Sequence, residues 1–519
     1  MQQRNFKLRQ WIKVTCKDFA SEGLGVCHVD SEVVKQHVKP HTIFVWGILP
    51  GETAIVEINN IKRKVVQAIV IRSEYAKKVL ELQQLNLEKA DPQSINLDCT
   101  TVANSYIMFW PQRLTWLIVD QYFSNASITQ VTFESIKNSI ASYAKKLSDD
   151  LNKEEFFSSE FVIKNLSKLR ISSMCENFTI CGGCKMLHID YSEGVKFKKK
   201  WLQNHFIRDK IDYGFDRLKV FESPKKIHYR NHVQLHINKR KERGFYSPGT
   251  YTTVKFPQDG CYLFDQKVVD DSFPADLELV RCVRCRIDDH SNTSKIVELN
   301  SHQDKSQMFS VTVNYPKNNP VSITFPMTAF FQTNTSILPI WLEKIESLLS
   351  ANNSEVLNVL ELFSGFGFIS QLIGQVRAVN SLGIDVLKTE DLGKIFLTDS
   401  KYEEIDTTNF ISQYVQADLF QIDRWVKPVK KKISKFQCDT MIMNPPRAGF
   451  PLNSMKTFFD HVLGYSPTRI IYSSCNAATF SRDCANLKEW GYEIKDLSLF
   501  DFFPNTSHYE VLGMLEKVS

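Results

Sequence analysis

Two sets of cysteines in this chain have spacings that suit chemistry. Cys475 lies in the run Tyr472-Ser473-Ser474-Cys475-Asn476-Ala477-Ala478-Thr479, at the end of an apolar stretch. A thiol so placed suits reversible addition, because its thiolate is strongly nucleophilic and its ordinary pKa is only about 8.5. Far upstream, Cys175-x5-Cys181-x2-Cys184 has metal-cluster spacing. The first is a candidate nucleophile and the second a candidate scaffold.

A cofactor site is suggested by what surrounds the apolar runs. Val356-Leu357-Asn358-Val359-Leu360 leads into Glu361-Leu362-Phe363-Ser364-Gly365-Phe366-Gly367-Phe368. Two glycines at a strand-to-helix turn let the backbone approach a ligand without a Cβ clash. Asp385, ending the next strand-like run, is placed as an acceptor for ribose hydroxyls. The pair favours an adenosine-containing cofactor, although a tight structural turn and a surface Asp would read the same way. With no Gly-x-x-x-x-Gly-Lys-Ser/Thr loop and no third glycine of a dinucleotide fingerprint, S-adenosylmethionine fits better than ATP or NAD. Asn444-Pro445-Pro446-Arg447 follows the run Thr440-Met441-Ile442-Met443. Its prolines stiffen a loop holding an amide and a guanidinium where a planar base can enter.

These groups need elements to hold them. From 331 to 519 strand-like runs alternate with helical ones, which predicts a doubly wound α/β domain. Residues 11 to 73 alternate apolar and polar positions between turn signals, as in a small β-barrel. Residues 74 to 170 are Leu/Lys/Gln-rich with helical texture and carry no chemical motif, and read as an insertion or linker. The segment 171 to 330 contains the upstream cysteines together with Lys196 to Trp201, Lys225 to Arg230 and Lys239-Arg240-Lys241. Interleaved cations and aromatics suit phosphates and stacked bases, although any one cluster reads equally as an ordinary solvated face.

A chain of 519 residues is too long for one ordinary core, so several domains are expected. With 43% hydrophobic and 24% charged residues and a net charge of +6 it reads as a soluble globular protein. No apolar stretch is long enough to span a membrane; the best candidate, Tyr106 to Phe123, is interrupted by Gln112, Arg113 and Asp120. The start, Met1 to Lys7, is basic but lacks an apolar signal core. A cytoplasmic location is therefore expected, and the 12 cysteines are expected as thiols or metal ligands rather than disulfides.

Taken together these motifs resemble the S-adenosylmethionine-dependent RNA uracil-5-methyltransferases, in the branch that carries an iron–sulfur cluster and a TRAM domain, like the bacterial large-subunit rRNA enzymes. The resemblance rests on Cys175-x5-Cys181-x2-Cys184, Asn444-Pro445-Pro446-Arg447, Ser474-Cys475-Asn476 with Thr479 and Arg482-Asp483, and His508-Tyr509-Glu510. It implies a Rossmann-like class I methyltransferase domain over 331–519. That domain would follow a TRAM, OB-fold-like barrel over 11–73 and a central α+β domain with a 4Fe–4S cluster over 171–330. It further implies Cys475 as nucleophile and Glu510 as proton acceptor. Gln332, Phe363, Gly365, Gly367, Phe368, Asp385, Asp418 and Asn444 would be cofactor-contacting positions, and Cys261 would be the fourth cluster ligand after Cys175, Cys181 and Cys184. Three positions depart from the family pattern: Phe368 where Asn is frequent, Ala477 where Pro is usual, and Asn444 where many relatives have Asp. Zinc would be held by four thiolates equally well, so the cluster's identity rests on the resemblance. Cys282-x2-Cys285 is expected to be incidental, and Cys16, Cys27, Cys99, Cys438 and Cys484 to be packing residues.

The implied reaction is methyl transfer from S-adenosylmethionine to carbon 5 of a uridine in rRNA, or in tRNA, by a protein expected to be a monomer. Carbon 5 becomes nucleophilic once a thiolate adds at carbon 6, so covalent catalysis divides the barrier. Two other classes are compatible with parts of the pattern. An amino-methylating enzyme would use Asn444-Pro445-Pro446 and need no Cys475. A non-catalytic RNA-binding protein would keep the basic segment without needing Cys475 and Glu510 together.

Overall fold

The computed structural model describes residues 11–29, 42–62, 65–70, 163–248, 250–316, 320–349, 356–376, 378–386, 410–433 and 435–518. Most of the expected 74–170 insertion, and Cys99 with it, lies outside these residues. The chain divides into two compact units, Met1–Ser173 and Met174–Ser519.

In the first unit β1 (Trp11–Ala20), β2 (Leu24–Val29), β3 (Thr42–Trp46), β4 (Thr53–Lys62), β5 (Val65–Val70) and the short β6 (Ile163–Lys164) form one sheet in the order β1-β2-β3-β5-β4-β6. A further pairing of β1 with β4 closes five of these strands into a barrel. Alternation fills the inside along β1 to β3, where Val14, Cys16, Cys27 and Ile43 are buried between more exposed neighbours, while Ala54 to Ile58 of β4 are buried without a break. One rim is sealed by Glu52, fully buried, which pairs with Arg170 at 2.6 Å and accepts the Leu49 N–H at 2.8 Å. A buried carboxylate is tolerated there because its oxygens are all engaged by donors.

The second unit begins with the cysteine-rich loop and helix α1 (Tyr191–Arg208), capped by Asp190, whose carboxylate accepts the Ser192 N–H. After β7 (Lys219–Phe221) comes an antiparallel sheet of β8 (His232–Ile237), β9 (Arg243–Tyr246), β10 (Thr253–Lys255), β11 (Cys282–Asp288) and β12 (Thr293–Glu298), ordered β10-β9-β8-β11-β12. Strand β11 sends Cys282 and Cys285, three residues apart, to opposite faces, so this pair is not set up to share a ligand. A hairpin of β13 (Met308–Asn314) and β14 (Pro320–Pro326) follows, then helix α2 (Leu338–Leu349).

The last part is an eight-stranded sheet built on β15 (Leu357–Leu362), β16 (Val379–Asp385), β17 (Phe410–Gln416), β18 (Thr440–Met443), β19 (Arg469–Ser474), β20 (Tyr492–Phe500) and β21 (Glu510–Lys517), with β7 at its edge. Its order is β17-β16-β15-β18-β19-β21-β20-β7. The first five strands run parallel, while β21 is inserted antiparallel between β19 and β20. Helices α3 (Phe368–Ile373), α4 (Val426–Ile433) and α5 (Ala477–Glu489) accompany the crossovers. Central strands of such sheets are covered on both faces, and in β15 and β18 every residue but Asn358 is buried. This is the doubly wound α/β, Rossmann-like architecture, and the strand order reverses between β15 and β18, where such sheets bind ligands. One hydrophobic core runs from Val297 through Phe325, Trp341 and Phe368 to Leu512, so residues on both sides of 330 share it. No helix among the described residues is long and apolar enough to cross a membrane.

Candidate active site

The glycine loop forms because the end of β15 must turn sharply over the sheet edge. Gly365 and Gly367 both take left-handed backbone, at φ 57° and 77°, which an L side chain resists. Phe363 also has positive φ, 56°, and its ring packs against Phe420 at 5.8 Å and Phe450 at 5.2 Å. The Gly365 N–H donates to the Asp385 carboxylate at 2.8 Å, so loop and second-strand carboxylate meet as the sequence pattern requires. The Asp385 carbonyl accepts the Ala417 N–H at 2.7 Å, which brings Asp418 to the same edge. There Asp418 caps the turn 419–424 through Phe420 N–H. Asn444 joins them from the other side, its N–H donating to the Leu362 carbonyl.

Two expected cofactor positions sit deeper. Gln332 is buried and its carbonyl accepts from the Asn231 amide at 2.9 Å, while the preceding Phe331 packs on Phe366 and Phe368. Phe368 itself is 4% exposed in an aromatic cluster with Phe331, Phe366 and Trp341, so its ring faces the core.

Cys475 follows directly on β19, at the same edge of the sheet. The register pairs Ser473 with Leu512 and Ser474 with Val511, so Cys475 and Glu510 lie at the adjoining ends of β19 and β21. Burial, then the Glu510 charge, pushes the Cys475 thiol up to about 11, and the Arg447 guanidinium, hydrogen-bonded to it, pulls the other way. Glu510 is buried, which pushes its carboxyl up to about 8, against a 2.6 Å hydrogen bond from the Ser473 hydroxyl.

The loop 444–450 is laced to α5. The Arg447 carbonyl accepts from the Asn476 amide at 2.8 Å and the Thr479 hydroxyl at 3.2 Å, and the Ala448 carbonyl from Arg482 at 2.9 Å. Asp483, fully buried, accepts the Phe450 N–H and the Tyr472 hydroxyl, each at 2.7 Å. A Cβ on Gly449 would stand 2.4 Å from that carboxylate, so only glycine lets the loop close so tightly. The sequence motifs around Cys475 and Asn444 are thus two sides of one hydrogen-bonded unit. Arg447 as a partner of the thiol and Ser473 as a partner of Glu510 were not assigned from sequence. The signal for Ser473 is a cross-strand diagonal, which exists only once the β19/β21 register is known.

The upstream cysteines lie on a loop that docks on the five-stranded sheet: Gly182 N–H donates to the Tyr246 carbonyl and the Asn177 amide to the Lys255 carbonyl. Cys261 sits on the segment bonded to 228–230 through His228 and Arg230 N–H groups. Burial raises Cys181 to about 11 and Cys261 to about 12, and both feel the charge of Cys175. Cys184 is raised by burial and then by Cys261, Cys181 and Cys175, so the four thiols lie within electrostatic reach of one another. Backbone N–H groups of Gly183 point at Cys181, and those of Leu263 and Phe264 at Cys261. Among the described residues no three His, Cys, Asp or Glu side chains are closed to metal-binding geometry. The convergence of soft thiols with N–H donors nonetheless fits a thiolate-ligated group, since a bound cation would reverse the cost of ionising them.

Among known proteins, the chain is similar to RNA methyltransferases. Residues 313–518 match the family model tRNA (Uracil-5-)-methyltransferase. The chain is 27% identical over 368 residues to an uncharacterized RNA methyltransferase of Leptospira interrogans, covering 68% of this chain and 82% of the relative. It is 24% identical over 400 residues to the 23S rRNA (uracil(1939)-C(5))-methyltransferase RlmD of Marinomonas sp., covering 69% of this chain and 84% of that protein. In fold it is similar to Pyrococcus abyssi tRNA (uracil-54, C5)-methyltransferase, solved with S-adenosyl-L-homocysteine. The TM-score is 0.55 at 16% identity, over 97% of this chain and 99% of that one.

Proposed function

We propose that this S-adenosylmethionine-dependent RNA (uracil-5-)-methyltransferase works through a covalent cysteine–uracil intermediate on a uridine of rRNA, the RNA class named for its Marinomonas relative. The observation that carries the reading is Cys475, Arg447 and Glu510 converging at the carboxyl edge of the sheet, tied through the 444–450 loop to the glycine turn.

Gly365, Phe363, Asp385, Asp418 and Asn444 would hold the methyl donor, whose sulfonium supplies the methyl group. Arg447 stabilises the Cys475 thiolate, which adds to carbon 6 of the uracil. Electron density gathered at carbon 5 then takes the methyl group. Glu510 removes the proton from carbon 5, the carbon 5–carbon 6 double bond re-forms, and the bond to Cys475 breaks. A stacked uridine cannot be reached in this way, so the target base must be unpaired or flipped out.

Cys175, Cys181, Cys184 and Cys261 would hold a 4Fe–4S cluster, which would tie the loop before α1 to the segment after β10. The barrel of residues 11–73, read as a TRAM domain, and the basic segment of 171–330 would hold flanking RNA.

Cys475→Ala is expected to abolish both methylation and any protein–RNA adduct that survives denaturing gels. Glu510→Gln is expected to accumulate a methylated adduct, because methyl transfer precedes its step. Turnover retained in Cys475→Ala would defeat the covalent reading and favour amino-methylation through Asn444-Pro445-Pro446.

A further inference from the structure

Strand β19 presents Ser473 to β21 and ends just before Cys475. Ser473 pairs with Leu512, which puts Glu510 on its cross-strand diagonal, and Cys475, just past the end of the strand, lies within electrostatic reach of Glu510. Ser473 is 1% exposed, as is Glu510, and its hydroxyl donates to Glu510 Oε1 at 2.6 Å. Leu512, which pairs with Ser473 across the strands, is apolar, so nothing on the strand pair itself requires a hydroxyl there.

We propose that Ser473 is a positioning residue for proton removal, holding Glu510 through one carboxylate oxygen while the other takes the proton from carbon 5. This rests on the reading of Glu510 as the base. The carbon–hydrogen bond breaks, its electrons restore the ring double bond, the thiolate of Cys475 leaves, and the proton stays on Glu510. The Ser473 hydroxyl also favours the charged carboxylate, opposing the burial that pushes Glu510 up to about 8. The other titratable groups around the pair are Cys475, Arg447 bonded to it, and, preceding Glu510 in the chain, Tyr509 and His508, the latter pushed down to about 4 by burial and then by Arg447. His508 is therefore neutral where Glu510 titrates, and the predicted pH shift belongs to Glu510.

The test is single-turnover methylation of a uridine-containing RNA by the full chain, following formation and decay of the methylated adduct between pH 6 and 9.5. Ser473→Ala is expected to form the adduct at the wild-type rate but to release it about 10- to 100-fold more slowly at neutral pH, the loss expected for a hydrogen bond to a charged group. The pH midpoint of release should move upward, because the neutral carboxyl is no longer opposed. Ser473→Thr, which keeps the hydroxyl, should restore release. Unchanged release and midpoint in Ser473→Ala overturn the positioning role alone. Equal losses in adduct formation and release, unrescued by Thr, also overturn it, since they mark general damage. Absence of any Cys475-dependent adduct with Ser473 intact overturns the parent reading instead.

Discussion

In the free protein burial and the neighbouring Glu510 hold the Cys475 thiol up at about 11, so at neutral pH only a small fraction is thiolate. The chemistry of alkylation reads this directly. Iodoacetamide should modify Cys475 slowly at pH 7 and faster toward pH 10, followed by mass spectrometry. Arg447→Gln should slow the reaction, since it removes the cation that lowers the thiol pKa. Glu510→Gln should accelerate it, and mainly above about pH 8, where the carboxyl of the native protein becomes charged and begins to oppose the thiolate. Equal rates in all three proteins would mean that neither group tunes the thiol.

At the scale of elements, the loop 501–509 that delivers Glu510 to the sheet edge is gripped from several directions. Lys198 of α1 pairs with Asp501 at 2.6 Å, both nearly fully buried, and also donates to the Phe503 carbonyl. Tyr229 donates to the Pro504 carbonyl, Met186 N–H to the Asn505 carbonyl, and the Asn334 amide to the Phe502 carbonyl. Taking one partner from a buried ion pair leaves an uncompensated charge, at a cost of about 3–5 kcal/mol. Lys198→Met should therefore lose roughly that much in urea denaturation. Lys198→Met combined with Asp501→Leu should recover part of it. Release of the methylated adduct should slow in the single variant, because the loop that carries Glu510 is no longer fixed.

For the whole molecule, the grip on loop 501–509 ties the segments of Met186, Lys198, Tyr229 and Asn334 to the large sheet within the unit Met174–Ser519. Met186 follows Cys184 closely, so a cluster held by the thiols as proposed would stiffen a segment bonded to the Glu510 loop. Anaerobically purified protein should contain about four irons per chain, and cluster removal should lower the melting temperature of the unit 174–519. Stoichiometric zinc without iron would replace the cluster reading with a zinc site. The fragment 174–519 holds both large cores of the second unit and should still bind S-adenosylmethionine by calorimetry. It should bind RNA more weakly and with a shallower salt dependence than the full chain, because the phosphate contacts proposed for the barrel are gone. Equal slopes would mean that the barrel does not contact RNA.

The sequence alone determined the parts whose rules are local. Glycines at φ 57° and 77°, an aspartate one strand later, a proline-stiffened loop after Met443 and alternation along β1 to β3 each depend on neighbours within a few residues. Hence the doubly wound sheet and the barrel strands were legible, as was the glycine turn. The tertiary structure decided what depends on register and on distant chain segments. Strand β7 joins the catalytic sheet from more than a hundred residues upstream of β15, and one core crosses the region around residue 330. Phe368, read as a cofactor contact, turns its ring into the aromatic core, because the helix it begins packs that face against α2. The partnership of Ser473 with Glu510 follows from an antiparallel strand inserted between β19 and β20. No periodicity announces such a pairing, since burial of a whole sheet face, not any short-range preference, fixes which strands meet and in which register.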